Sequence, residues 1–203
     1  VLLVVGGFGV ETPVPTATAT LTPVPSPTST SVPVCAAEPE VCRTPVVNQK
    51  ARLVLWNKSD NQKDKLQWKW IFGSVTPKED YGNPIGTDDY VLCVYDGNGL
   101  RLRLVAPAGG LCAGRPCWKE LGSGFQYKDR DATPNGLSKV SVKDGLEGRA
   151  KIQVKGGGPL LGMPDLISLM SPLTVQLHHT GGGACWGATY SFPPTLKNDG
   201  VQF

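Results

Sequence analysis

The sequence predicts an all-β protein, an antiparallel, jelly-roll-like β-sandwich carried on an extended N-terminal arm. Three observations point there. Beyond residue 50 the chain breaks into roughly ten short runs of strand-forming residues, evenly spaced and separated by Gly, Pro, Asn and Asp. Six cysteines are distributed among these runs and their turns. Ahead of them, residues 1–34 hold an apolar stretch and then a segment dominated by Thr, Ser and Pro. The organisation expected is therefore an apolar strand at 1–10, an extended linker at 11–34 and a stapled domain at 35–203.

The first segment, VLLVVGGFGV, groups Val1, Leu2, Leu3, Val4 and Val5 with Phe8 and Val10, all suited to extended structure. Its glycines remove bulk where one backbone approaches another. As a signal-peptide remnant it has the right apolarity, but no A-x-A cleavage site follows it. As a strand it must be buried by its own domain, a lipid surface or a neighbouring subunit. Residues 11–34 contain seven Thr, three Ser and six Pro, with TPVP occurring twice. Each Pro fixes φ near the polyproline value and pushes the residue before it to extended geometry. At about 3.1 Å per residue, such a segment carries the decapeptide far from the body. Thr12, Thr16, Thr18, Thr20, Thr22, Ser26, Thr28, Ser29, Thr30 and Ser31 are its candidates for O-linked sugar.

In the body, ARLVLW (51–56), KLQWKWIF (65–72), YVLCVYD (90–96) and LRLRLVA (100–106) read as strands. Leu66, Trp68 and Trp70 alternate with Gln67 and Lys69, and Leu100, Leu102 and Leu104 alternate with Arg101 and Arg103, giving one buried and one wet face. Asp96-Gly97-Asn98-Gly99 supplies the tight turn between the last two. CWKEL, GFQYKD (124–129), LSKVSVK (137–143) and RAKIQVK (149–155) continue the pattern, GGGPLLGMPDLISLM allows one short helical turn, and TVQLHH (174–179), ACWGATYSF (184–192) and VQF (201–203) complete it.

Cys35, Cys42, Cys93, Cys112, Cys117 and Cys185 read as three disulfides formed outside a reducing cytoplasm, because their spacings lack the tight CxxC pairs of zinc sites. Sequence alone leaves the connectivity open. The expected pairing is Cys35–Cys42 and Cys112–Cys117, each closing a short loop, and Cys93–Cys185, both within strands. No apolar run reaches the ~20 residues of a membrane-spanning helix.

The net charge is +3 and 18% of residues are charged, with Lys and Arg reading as scattered among Asp and Glu rather than gathered in a patch, so no nucleic-acid partner is expected. No catalytic set, cofactor site or metal site is expected. His178 and His179 are the only histidines, and neighbours in a strand point to opposite faces, so they read as a surface pair before a Gly-rich turn. Asp129 with Asp131, and Asp60 with Asp64, echo calcium loops but lack the alternating acids and distal Glu. The five Trp and five Tyr are set between two roles, a sugar-stacking platform and core packing. Trp68 and Trp70 share the parity of Leu66, which favours core for them. Asn57-Lys58-Ser59 is a sequon.

From RTPVVNQK to VQF, the motifs LQWKW, DDYVLCVYD, CAGRPCWK, FQYKDRDATPNG, AKIQVKG and ACWGATYS resemble a repeating domain of uncharacterised secreted proteins of environmental bacteria. The resemblance spans nearly the whole body and implies secretion and a compact domain, with no activity attached.

The function expected is that of a structural, non-enzymatic subunit at the cell surface or outside the cell. Copies of the chain would join head to tail as the apolar strand of one adds to a sheet edge of the next, propagating a filament. The alternative is a carbohydrate-binding or adhesion module on a Pro/Thr linker, with glycans as partners and two or three aromatics exposed in a row.

Overall fold

The computed structural model describes residues 35–191, and the expectations for residues 1–34 and for a strand at 201–203 lie outside the described residues. The strands are β1 (Ala51–Trp56), β2 (Lys65–Gly73), β3 (Tyr90–Asp96), β4 (Gly99–Ala106), β5 (Leu111–Cys112), β6 (Arg115–Pro116), β7 (Trp118–Leu121), β8 (Gly124–Lys128), β9 (Leu137–Lys143), β10 (Ala150–Gly157), β11 (Leu173–His179) and β12 (Trp186–Tyr190). They form an antiparallel sandwich. One sheet runs β1-β2-β10-β9-β8-β7, the other runs β12-β11-β3-β4, and β5-β6 is a small separate ribbon. The Pro- and Gly-bounded segment after β10 supplies the short helical turn, at Pro159–Leu161.

Period-2 alternation places the core. On β2, Leu66, Trp68 and Trp70 are buried, as are Ile152 and Val154 of β10, Val140 and Val142 of β9 and Tyr127 of β8, and all join one cluster with Leu92, Val94, Leu104, Val175 and Leu177 of the other sheet. Leu100 departs from the expected alternation and is 40% exposed, because the β3–β4 register shifts between Val94 and Tyr95. In the turn before it the backbone turns left-handed at Gly99, with φ +104°, where a side chain would be strained.

Burying an indole strands its N–H unless a partner is supplied. Trp68 Nε1 donates to the Tyr190 hydroxyl at 3.0 Å and Trp70 Nε1 to the Gly187 carbonyl at 3.1 Å, so both bonds cross from β2 to β12 in the opposite sheet. Trp118 donates to the Pro107 carbonyl at 2.8 Å and Trp186 to the Thr76 hydroxyl at 3.3 Å.

β3 is buried on both faces, and the cover on its outer side is the chain before β1. Residues 35–45 cross the outside of the four-stranded sheet as a strap. Cys35 is bridged to Cys93 on β3, and the Tyr95 hydroxyl donates to the Ala36 carbonyl. Gln176 of β11 brackets Glu40, accepting from its N–H and donating to its carbonyl. Cys42 is bridged to Cys185, and Arg43 pairs with Trp186 in a parallel bridge. Pro45 then bridges Gly73 at the end of β2.

All six cysteines are bridged, but the pairing corrects the expected one. Cys112–Cys117 is present, whereas Cys35 and Cys42 do not pair with each other and Cys93 does not pair with Cys185. The reason is sheet order: β11 lies between β3 and β12, which separates Cys93 from the start of β12 by two inter-strand spacings, about 10 Å and beyond disulfide reach. The strap spans that gap and takes one partner at each end.

In the chain-entropy account, the 143-residue separation of Cys42–Cys185 is worth about 5 kcal/mol and the 5-residue separation of Cys112–Cys117 about 2. Denaturant unfolding of Cys42→Ser/Cys185→Ser and Cys112→Ser/Cys117→Ser should show the first destabilised more; the opposite order would contradict the strap's structural role.

Candidate functional site

The two histidines do point to opposite faces, but neither is on the surface, which corrects the expectation of a surface pair. His178 is 7% and His179 6% exposed. His178 lies beneath the strap, 3.2 Å from Gln176 Oε1. His179 faces inward, stacked at 5.8 Å on Tyr90 and 6.2 Å on Trp186, with Nδ1 3.8 Å from Asp88 Oδ2. Among the described residues neither of its ring nitrogens makes a well-formed hydrogen bond. Gly82, at φ +63°, lets the Asp88 carboxylate and this ring approach the backbone, since a Cβ there would lie 2.2 Å from Asp88 Oδ2. Cys42, Cys185 and His178 cluster within 4.8 Å, but the two sulfurs are joined to each other and offer no thiolate.

The acidic turns are occupied by their own backbone. Asp129 accepts from the Asp131 and Thr133 N–H groups at 2.9 Å each. Asp64 accepts from the Lys58 N–H at 2.7 Å, and Asp60 from the Gln62 N–H at 3.1 Å, so the carboxylates do not converge as calcium ligands do. The Asn57 side-chain amide of the sequon donates to the Pro164 carbonyl. Trp68, Trp70, Trp118 and Trp186 are buried, as are Tyr81, Tyr90, Tyr95 and Tyr127, so among the described residues there is no row of exposed aromatics for sugar stacking.

What the strands do bring together is charge. On the outer face of the six-stranded sheet, register aligns Arg52, Lys69, Gln153, Ser141, Gln126 and Lys119 in one row across the strands. The next row aligns Gln67, Lys155, Lys139 and Lys128. Lys143 stands opposite Lys151, and Lys65 opposite Trp56. No position of the outer face on these strands is Asp or Glu; Glu120 of the edge strand β7 has the inward parity but is exposed and pairs with Lys78, and Asp144 and Glu147 sit in turns. None of these cations is in a salt bridge among the described residues. Lys139 is held below the ordinary lysine range, first by desolvation and then by Lys155 and Lys128. At one end, Trp56, Asp64, Lys65, Gln67, Arg130 and Lys155 are among the residues lining a shallow groove of about 520 Å³. Lys65 Nζ lies 5.1 Å from the Trp56 ring centroid.

This overturns the reading of scattered charge. Lys and Arg are scattered along the chain, but alternation turns every second residue outward and the sheet stacks those residues side by side. The signal was available in KLQWKWIF, LSKVSVK and RAKIQVK, where cations occupy alternate positions and no acid is present.

Comparison with protein-family models, curated proteins and solved structures finds no match. Three disulfides point to an oxidising environment, and no helix among the described residues is long and apolar enough to cross a membrane.

Both histidines are held below the ordinary 6.5. Burial is the main cause for each; Glu40 opposes it at His178, and Asp88 and Asp80 oppose it at His179. The unfolded chain therefore takes up protons near pH 6.5 that the folded chain refuses, so stability present above that pH is lost as pH falls through the window between 6.5 and the depressed folded values. Thermal melts between about pH 8 and pH 5 should show a declining Tm that flattens in a His178→Gln/His179→Gln variant; an unchanged slope would contradict this assignment.

Proposed function

We propose that this chain is a secreted, non-catalytic binding module presented on a Pro/Thr-rich arm, with the outer face of the six-stranded sheet as its ligand surface. The observation that carries this reading is the contrast between the two outer faces. The strap, fixed by two disulfides, covers the β3–β11 part of the outer face of the four-stranded sheet. The other outer face carries opposed cations with no acid among its strand positions. The same contrast replaces the stacking form of carbohydrate binding: with four of five tryptophans buried, recognition runs through charge. With the full chain immobilised, polyanions passed over it at low salt should be retained, and neutral and cationic polymers should not. Failure to retain any polyanion would contradict the reading.

A second reading is favoured by one feature. Among the described residues β4 pairs only with β3, which leaves an edge at which another strand can add. In that reading Val1–Val10 of one copy extends the four-stranded sheet of the next, the chain forms an extracellular homopolymer, and the Thr- and Ser-rich connector carries O-linked sugar. Negative-stain microscopy should then show fibres for the full chain and single particles once residues 1–10 are deleted. Fibres from the truncated chain would remove it.

A further inference from the structure

We infer that the ligand of the basic face is an acidic polysaccharide, its carboxylates or sulfates held by the cross-strand Lys rows and its hydroxyls by the amides set among them. This rests on the reading of the chain as a secreted binding module.

The face is costly to the fold. Arg52 opposes Lys69, Lys155 opposes Lys139, Lys139 opposes Lys128, and Lys151 opposes Lys143. Directly opposed like charges destabilise a sheet. Alternating Lys with Glu across the strands would have given the same solubility without that cost. A surface that keeps four such contacts and no compensating acid is organised for a polyanion that relieves them on binding.

The geometry selects a polymer over a small anion. Neighbouring strands are about 4.8 Å apart, so Lys155, Lys139 and Lys128 stand side by side on three successive strands. Gln67 extends this row, and Gln153, Ser141 and Gln126 fill the middle of the adjacent one. These side chains donate and accept, which suits hydroxyl groups lying between charges. Gln153 Oε1 already accepts from Lys139 Nζ at 2.9 Å, joining the two rows. The groove at this end of the array is lined by Trp56, Asp64, Lys65, Arg130 and Lys155, with Lys65 over the indole face.

Nucleic acid is the competing polyanion, and the face lacks what would read it. Among the described residues it presents no line of exposed aromatics on which bases stack. The disulfides also point to an oxidising environment outside a reducing cytoplasm and nucleus.

The test uses the intact chain against immobilised polygalacturonate, heparin, dextran and duplex DNA across a salt series. Binding to the two acidic glycans, weakening steeply with salt, and none to dextran is expected. Lys139→Glu exchanges two like-charge contacts for two favourable ones, so Tm should hold or rise while glycan affinity falls at least tenfold and the salt dependence flattens. Arg103→Glu, exposed on β4 of the other sheet, should leave binding unchanged. Unchanged affinity in Lys139→Glu, an equal loss in Arg103→Glu, or duplex DNA bound as tightly as the glycans at the same salt would overturn the inference. The last result would do so while leaving the polyanion-binding module itself intact.

Discussion

Two indole N–H groups on β2 set the geometry on which the rest depends. Trp68 and Trp70 fill the space between the sheets, and each reaches across it to a single acceptor on β12, the Tyr190 hydroxyl and the Gly187 carbonyl. An unpartnered buried donor costs about 1–3 kcal/mol, so the sheets are fixed in one relative position and not merely pressed together by apolar area. Burial holds the Tyr190 hydroxyl protonated far up the pH scale, and the pair keeps its donor and acceptor roles throughout the folded range. Fixing β12 in turn places Cys185 beside Cys42, and with it the end of the strap.

The strap converts a symmetrical layering into a molecule with two different outsides. An antiparallel sheet with one solvated face shows alternating apolar and polar residues, and the six-stranded sheet follows that rule with Lys, Arg and Gln outward. The four-stranded sheet does not, because Val91, Cys93 and Tyr95 of β3 point away from the main core into a second small cluster beneath Cys35. The outward polar groups of β11 beneath the strap, Gln176 and His178, are buried for the same reason. One sheet is thereby committed to structure, and the other is free to carry a ligand.

Much of the fold was legible in the sequence, and what was not has a common cause. Strand identity and inward parity follow from local alternation, so Leu66, Trp68 and Trp70 could be placed from their neighbours alone. The disulfide partners of Cys35 and Cys93 could not, since they depend on β11 lying between β3 and β12, a fact of sheet order with no local trace. His178 and His179 looked like surface residues because the strap over one and the Gly82–Asp88 approach to the other come from distant segments. The basic face was written plainly in three runs of alternate Lys, yet a count of +3 for the whole chain averages it against acids in turns. Composition reports the sum, whereas a sheet sorts by parity.

The account therefore turns on which surface meets the ligand, and a backbone amide NMR titration of the intact chain with a defined oligogalacturonate reads that directly. The account predicts shift changes confined to β2, β8, β9 and β10 and to the Trp56 indole, with the strap and β4 unmoved. Changes centred on the four-stranded sheet, or none at saturating oligosaccharide, would contradict it.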